Sequence, residues 1–250
     1  MLRDLRYAIR ALSRQRVFTL TATTVLGLAI SVNTAVFSII NSLLFRPLPV
    51  RTPQNLGFVY DTDDRSEAIT YGDFVALQSK SDIFSSIAAA AGDTTRLRTD
   101  GGVISVHGED VTANYLDVLG VEPRIGRSFT ASDDRDTAEP VAIISESLWR
   151  SRFAGDPGVL GRPIQLAILS PYAGRYAGWR EFIVVGVMPA SFTGMGNPWQ
   201  PTDFWVPLRQ RQADFRLFYG TSFTPAQADH FPVLPIVRLR DGVTFAQARA

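Results

Sequence analysis

The most prominent pattern along the chain is a run without any charged residue, which extends from residue 17 to residue 45. About 20 apolar residues are enough for a helix to cross the hydrocarbon core of a bilayer. Arg46 and Pro47 follow the run, and proline cannot continue a helix. The apolar region of a cleaved signal peptide is shorter, about 7–15 residues, and ends in a small-residue cleavage site. The pattern therefore predicts a permanent transmembrane helix over residues 17–45.

The segment before this helix, residues 1–16, contains many arginines and a single acid, Asp4. An excess of positive charge marks the cytoplasmic side of a span, so we expect the N-terminus in the cytoplasm and the residues after about 46 outside it. Apolar residues recur in this segment at spacings of three and four, which favours an amphipathic helix on the inner leaflet over a disordered basic leader. These apolar residues are Leu2, Leu5, Ile9 and Leu12.

Small side chains recur every four residues along the predicted span. Such a ridge allows a second helix to approach closely in lipid, although small residues also occur there by chance. We therefore predict that the span packs against other transmembrane helices. The ridge consists of Thr23, Gly27, Ser31 and Ala35, and it continues through Ser38 and Ser42.

After residue 50 the hydrophobic pattern becomes that of a folded domain with strands and helices. The mixed order of these elements, in two groups, predicts an α+β fold. A long irregular loop is expected over 210–229. The predicted strands are 56–60, 95–99, 103–112, 140–144, 164–169, 182–187, 204–207 and 233–239. The predicted helices are 71–90 (with Asp82 capping a second segment), 115–119, 145–153 and a last one that begins at Thr244.

Composition removes several kinds of chemistry. The chain has no cysteine, which excludes disulfides, thiolate metal sites and cysteine nucleophiles. A net charge of +1 gives no reason to expect a nucleic-acid partner. No Gly-rich phosphate loop ending in Gly-Lys-Ser/Thr occurs, and no Gly-x-Ser-x-Gly or His-Glu-x-x-His motif.

The remaining polar clusters do not form a recognisable site either. His107 and His230 are isolated in sequence, so ordinary polar placement is favoured over a shared metal site. Gly194 and Gly196 lack the third glycine of a dinucleotide motif. Two acidic clusters lack the spacing of calcium ligands and are predicted to be solvated loops. They are Asp61, Asp63, Asp64 and Glu67, and Asp133, Asp134, Asp136 and Glu139. We predict no catalytic, cofactor-binding or metal-binding residue, and therefore no enzyme.

An ordered series of short motifs resembles the N-terminal portion of MacB-like, FtsX-type ABC transporter permeases, and within them the acidobacterial duplicated orphan permeases. No single motif is specific, but together they cover nearly the whole chain. In the first part they are LRYAIR (5–10), NTAVFS (33–38), LFRPLP (44–49), NYLDVLGV (114–121) and GRSF (126–129). In the second part they are LWRSRF (148–153), GDP (155–157), GR (161–162), VGVMP (185–189) and RLRDGV (238–243), followed by alanines up to Ala250.

The resemblance implies a periplasmic core domain over 50–250. A porter-like subdomain would comprise about 50–112 and 230–250, and a Sabre-like subdomain, about 113–229, would be inserted into it. It also implies FtsX-like membrane helices beyond these residues, a separate ABC ATPase subunit, a dimer and a location in the bacterial inner membrane.

Two functions follow from these patterns. The first is a permease subunit of an export or mechanotransmission complex, of which this chain would be an N-terminal fragment. The alternative is a single-span anchored sensor or adaptor whose outer domain binds a partner. An anchored hydrolase is disfavoured because its motifs are missing.

Overall fold

The computed structural model describes residues 14–44, 50–60, 68–79, 83–135, 137–169, 176–195, 200–210 and 231–248. The chain divides into two compact units, Met1–Pro47 and Leu48–Ala250. Each unit is described by itself.

The first unit contains one long helix, α1 (Arg16–Leu44), so the predicted helix over 17–45 is confirmed within one residue at either end. The segment Arg16–Ser38 of this helix has a mean hydropathy of 1.6. Among the described residues, it is the one segment that is long and apolar enough to cross a membrane. Large apolar side chains along it are exposed, for example 82% of Val17 and 72% of Leu20. A surface of this kind is stable in contact with lipid or with other helices.

The second unit combines strands and short helices, which confirms the predicted α+β class for the described residues. The strands are β1 (Leu56–Phe58), β2 (Ile69–Thr70), β3 (Phe84–Thr99), β4 (Gly102–Val111), β5 (Ile125–Gly126), β6 (Val141–Ser145), β7 (Pro163–Leu169), β8 (Tyr176–Met188), β9 (Phe204–Pro207) and β10 (Pro232–Leu239). The helices are α2 (Tyr71–Gln78), α3 (Tyr115–Leu119), α4 (Glu146–Phe153) and α5 (Phe245–Ala248), with 3-10 turns at Pro53–Asn55 and Pro157–Val159.

The strands form one continuous hydrogen-bonded system in which part of the sheet closes on itself. The main path runs β1, β10, β3, β4, β9, β6, β8 and β5, while β7 pairs with both β3 and β8. Because β7 bridges those two strands, β3, β4, β9, β6, β8 and β7 make a closed ring. β10 lies outside the ring and pairs with the first half of β3, with β1 and with β2. Closure satisfies backbone groups that an open sheet would expose at its edges.

The predicted helix over 71–90 is correct only in its first part. α2 begins after Thr70, whose hydroxyl oxygen accepts the Asp73 amide at 3.1 Å. From Phe84 onward the chain is strand β3, and Asp82, the predicted cap of a second helix, lies outside the described residues. Ala88 and Ala89 are fully buried, and both pair with β10. A strand buried on both faces gives a continuous apolar run, which periodicity alone does not distinguish from a buried helix.

Most other elements agree with the sequence patterns. Residues Thr99 and Gly102 close the predicted hairpin between β3 and β4. Helix α3 ends at Gly120, whose φ of 68° belongs to the left-handed region that favours glycine. Ser145 caps α4 by accepting the amide of Leu148 at 3.1 Å. The loop predicted over 210–229 lies outside the described residues, apart from Gln210.

The core of the described residues consists of three clusters: one inside the closed ring, one between α3 and the adjoining strands, and a third around Phe74 of α2 and Val233 of β10. Fully buried side chains of the first cluster include Leu97, Val106, Ile144, Phe182 and Phe204. The second contains Tyr115, Leu119, Trp205 and Ile236. Helix α3 thus packs against β10, although the sequence assigns α3 to the inserted subdomain (about 113–229) and β10 to the porter-like subdomain. The subdomain boundaries stay a prediction.

Candidate functional site: the membrane helix and an arginine clamp

Helix α1 carries hydroxyl side chains that bond within the helix itself. The hydroxyls of Thr21, Thr24, Ser31 and Thr34 each donate to the carbonyl four residues earlier, at 2.8 Å. Their polar atoms therefore do not require a partner in lipid, where an unsatisfied hydroxyl would be costly. The small-residue ridge is suited to close van der Waals packing rather than to hydrogen bonding between helices. That another helix packs there stays a prediction.

In the second unit, the guanidinium of Arg238 on β10 joins segments that are far apart in sequence. It donates to the carbonyl oxygen of Val118 at 2.6 and 2.9 Å, from Nη2 and Nε. Nη2 also donates to the Arg51 carbonyl at 2.8 Å, and Nη1 donates to the Thr52 hydroxyl at 3.1 Å. We call this group the arginine clamp: Arg238 with the lead-in segment (residues 50–52) and the end of α3.

The lead-in segment makes further contacts with the end of α3. The amide of Arg51 donates to the carbonyl of Leu119 at 2.8 Å. The Arg51 side chain lies over Gly120, where an added Cβ would come within 2.4 Å of the Arg51 Cβ. Gly120 is thus needed both for its left-handed backbone and for this close approach.

The charge of Arg238 is held by neutral oxygens rather than by a carboxylate. Partial burial lowers the pKa of its guanidinium, and the positive charge of nearby Arg51 lowers it further. Arginine nevertheless stays charged at neutral pH, because its ordinary pKa lies above 12. A hydrogen bond from a charged donor contributes roughly 1.5–3 kcal/mol, so this one side chain is a major part of what holds the cluster together.

The last described helix lies against the first strand of the same unit. The Phe245 ring of α5 packs on Gly57 of β1, where an added Cβ would lie 2.5 Å from the ring. The region that follows α1 in sequence, residues 50–58, and the region from 238 to 248 therefore meet in one place.

The two acidic clusters found in the sequence have different outcomes. The first, over 61–67, lies outside the described residues. In the second, the prediction of a solvated loop is wrong for Asp133, which is only 8% exposed. Its carboxylate binds the Arg127 guanidinium at 2.6 and 3.0 Å and accepts the amide of Thr130 at 2.7 Å. The spacing of metal ligands in the sequence does not reveal this arrangement, because the partner of the carboxylate is an arginine side chain rather than a metal ion.

The neighbouring acid, Asp134, accepts the backbone amide of Arg209 at 3.0 Å and so ties its loop to the end of β9. Asp136 lies outside the described residues, and Glu139 is exposed. Within the described ranges, no group of three or more His, Asp or Glu side chains is arranged to hold a metal ion.

Of the two histidines, only His107 belongs to the described residues. His107 on β4 contacts the hydroxyl of Thr94 through Nδ1 at 3.2 Å, and its amide donates to Asp203 at 3.0 Å. His230 lies outside the described ranges. The polar placement predicted for His107 is thus confirmed, whereas a site shared with His230 stays untested.

Sequence reasoning missed a buried acid on β4. Glu109 is only 3% exposed, and its Oε2 accepts the Tyr115 hydroxyl at 2.7 Å and the Trp205 indole N–H at 2.8 Å. Its Oε1 accepts the Met195 amide at 2.9 Å. Burial raises the pKa of Tyr115 well above its ordinary value, and the nearby Glu109 charge raises it further, so the phenol stays a donor. The sequence signal was a pair of adjacent acids, Glu109 and Asp110, in the buried second half of the strand.

Gly194, half of the rejected dinucleotide pattern, belongs to this same cluster. Its φ is 89°, and an added Cβ would lie 2.6 Å from the Glu109 carboxylate and 2.1 Å from the Thr202 hydroxyl. The glycine therefore lets the loop after β8 approach a buried carboxylate. This is a structural role for Gly194.

Comparison with known proteins identifies relatives over most of the chain. It is 26% identical over 188 residues to the macrolide export ATP-binding/permease protein MacB of Salmonella typhimurium, and 25% identical to that of Salmonella typhi. Each alignment covers 75% of this chain but only 25% of the relative. The chain thus spans about a quarter of the length of the curated relatives that it matches.

Solved structures show the same fold at lower identity. The periplasmic region of MacB from Actinobacillus actinomycetemcomitans superposes with a TM-score of 0.55 and 17% identity, covering 83% of this chain and 84% of that one. A domain of a permease protein from Porphyromonas gingivalis gives a TM-score of 0.53 and 19% identity, with coverages of 78% and 79%.

The family to which the chain belongs is shown by a match to a family profile. The profile described as the MacB-like periplasmic core domain matches residues 20–250, from within α1 to the end of the chain. The predicted resemblance is confirmed by this match and by the curated relatives. The chain therefore belongs to the family of the MacB-like periplasmic core domain, the extracytoplasmic part of ABC transporter permeases.

Proposed function

We propose that this chain is the N-terminal part of a permease subunit in an ABC-type export or mechanotransmission complex. Helix α1 anchors it in the inner membrane with the N-terminus in the cytoplasm, and the residues after about 46 lie outside. The observation that carries the proposal is that the family match begins inside α1, at residue 20, and continues through the whole second unit. The anchor and the outer domain are thus parts of one familial unit.

The arginine clamp supports a mechanical role. The lead-in segment follows the membrane helix in sequence, and the clamp fastens it to β10, close to where the described chain ends. β10 pairs with β3, which continues into the closed ring. A displacement of the lead-in segment is therefore passed to a stiff sheet and to α5.

The partners in this proposal are a separate ABC ATPase subunit and other transmembrane helices, from the same permease or a second one. The matched relatives are named as ATP-binding/permease proteins, and this chain covers a quarter of their length. We assign ATP hydrolysis to the partner because the sequence contains no phosphate-binding loop. We propose a dimer, and no catalytic, cofactor or metal residue in this chain.

Replacement of the anchor tests this function. Residues 17–45 are exchanged for an unrelated apolar helix of equal length, and co-purification with the ABC ATPase is measured from membranes. A permease needs the specific packing face of α1, so the exchange should reduce ATPase recovery at least tenfold at unchanged expression. A sensor or adaptor needs only an anchor, and unchanged recovery would favour that alternative.

Topology is tested in the same membranes with a reporter that is active only outside the cytoplasm. Fusion of this reporter after Ala250 should give activity, and fusion before Leu2 should give none. The opposite pattern would refute the orientation that the proposal requires.

A further inference from the structure

We propose that Thr52 is a strained hinge at the start of the outer domain, held in a left-handed backbone conformation by Arg238. The use of this hinge in transmitting movement from the membrane rests on the proposed function. Its existence rests only on the contacts of residues 50–58, 118–120 and 238.

The backbone of Thr52 is the first observation. Its φ is 46° and its ψ is 66°, in the left-handed region. This region is unfavourable for a β-branched side chain, because Cβ crowds the neighbouring carbonyl oxygen. Thr52 also precedes Pro53, and a residue before proline prefers extended backbone. The conformation that Thr52 would adopt without restraint is therefore extended.

Among the described residues, Ala154 is the other non-glycine residue with positive φ, at 53°. It lies at the C-cap of α4, where left-handed backbone is common and the last carbonyls are satisfied by it. Thr52 instead lies before a 3-10 turn and forms no side-chain cap to it. Its strained conformation therefore needs a different explanation.

The contacts of Arg238 supply that explanation. The guanidinium bonds the Arg51 carbonyl at 2.8 Å and the Thr52 hydroxyl at 3.1 Å. These two oxygens lie on opposite sides of the N–Cα bond of Thr52, the bond about which φ is measured. Rotation about φ moves one oxygen relative to the other and breaks at least one of the two bonds. One guanidinium thus locks the dihedral angle that is strained.

The clamp also contains elements that oppose each other. The Arg51 amide donates to Leu119, and Arg238 donates to Val118, which favours the locked state. The Arg51 charge near Arg238 and the strain at Thr52 both favour release. When the clamp opens, Thr52 relaxes to extended backbone, and the chain then enters β1 from another direction. Strain of this kind at a connection between moving parts is typical of switching elements.

Amide hydrogen exchange on the full chain in nanodiscs tests the hinge. The reporter is the Arg51 amide, which is protected by its bond to Leu119. Arg238→Met keeps much of the side-chain length but removes the donors, and should accelerate this exchange at least tenfold, or 1.4 kcal/mol of local opening. The matched control is Arg240→Met. Arg240 lies two residues after Arg238, and its guanidinium makes one long bond, 3.3 Å, to the Phe84 carbonyl.

The control should change exchange at Arg51 less than about twofold, because a single long exposed bond contributes little. The Val184 amide, bonded to the Arg162 carbonyl at 3.0 Å, reports whether the rest of the domain stays folded. Equal effects of Arg238→Met and Arg240→Met on Arg51 would overturn the proposal.

Substitutions of Thr52 test the strain without disturbing Arg238. Asparagine tolerates left-handed backbone and keeps a side-chain oxygen, so Thr52→Asn should slow exchange at Arg51 about fivefold. Thr52→Val keeps the branched shape and removes the hydroxyl, so it should accelerate exchange several-fold. Faster exchange in Thr52→Asn would refute the hinge, and this variant decides the matter if Arg238→Met fails to fold.

These measurements require no ATPase and no transport. A negative result here leaves the permease assignment unchanged, because that assignment is tested by ATPase co-purification. Conversely, loss of the permease assignment would leave the hinge as a property of the fold.

Discussion

The buried carboxylate of Glu109 offers a sensitive test of how the outer domain is stabilised. Glu109→Gln removes the charge while keeping the size and shape of the side chain. In the native protein, three donors among the described residues converge on the carboxylate: the Tyr115 hydroxyl, the Trp205 indole and the Met195 amide. A glutamine has one acceptor oxygen, and its NH₂ group must face at least one of these donors.

The cost is estimated from the bonds that change. If the amide oxygen takes the place of Oε2, the Tyr115 and Trp205 bonds persist in weakened form and the Met195 N–H faces the new NH₂ group. A buried donor without an acceptor costs about 1–3 kcal/mol, and loss of charge assistance weakens the two remaining bonds. We expect a total near 3 kcal/mol. For a domain of this size that corresponds to a decrease in Tm of about 6–12 °C.

The assay is urea unfolding of the full chain in a mild detergent, followed by tryptophan fluorescence, with thermal unfolding as a second measure. Glu122→Gln is the matched control, because Glu122 is exposed and should lose less than about 0.5 kcal/mol. If Glu109→Gln stays within that same limit, the three donors do not depend on the charge, and the reasoning is refuted. A selective loss would establish Glu109 as the residue that secures the loop after β8.

Three further predictions concern other parts of the molecule. The hydrogen bonds from Arg150, opposed by burial, lower the pKa of Glu146. The stabilising contribution of Glu146 is therefore complete above the ordinary pKa of glutamate, about 4.3, and is lost as pH falls through the pKa of the folded state. Glu146→Gln should flatten this part of the stability–pH curve. Gly120→Ala should cost about 1–2 kcal/mol in urea unfolding, whereas Gly92→Ala, where an added Cβ meets nothing within 4 Å, should stay within about 0.5 kcal/mol. Ser31→Leu should lower co-purification of partner membrane subunits, while Ser31→Ala, which keeps a small side chain, should not.

Local signals in the sequence predicted much of the fold. The span α1 follows from an uncharged run, and the hairpin between β3 and β4 follows from Asp100 and two glycines between alternating segments. Ser145 marks the start of α4, and Gly120 marks the end of α3. Each of these features is determined by residues within a few positions of it, so a linear pattern is sufficient to find it.

The first half of β3 could not be predicted in the same way. Its alanines are strong helix formers in isolation, and this half is a strand because β10 pairs with it from Phe84 to Ala90, while pairing with β4 begins only at Ala90. β10 is more than 140 residues away in sequence, as the pairing of Ala90 with Leu234 shows. Pairing over such a distance leaves no local signal, and tertiary context overrides propensity.

The functional features are the least predictable from sequence, for the same reason. Arg238 is separated from the Thr52 hydroxyl by 186 positions, and Trp205 is separated from Glu109 by 96. The sequence identified RLRDGV as a familial motif but gave no reason for its first arginine. The motif search looked for catalytic patterns, whereas the chain uses its buried charges to fasten backbone segments to one another.

The distribution of these contacts determines which part of the outer domain opens at the lowest free energy. In the closed ring, each strand pairs on both sides and the side chains between them are fully buried, so opening the ring exposes a core. The lead-in segment is exposed at Arg51 and Thr52, and among the described residues two of the hydrogen bonds that attach it come from one guanidinium. Regions with few buried contacts open at much lower free energy than core strands. The clamp is therefore expected to open at lower free energy than the sheet.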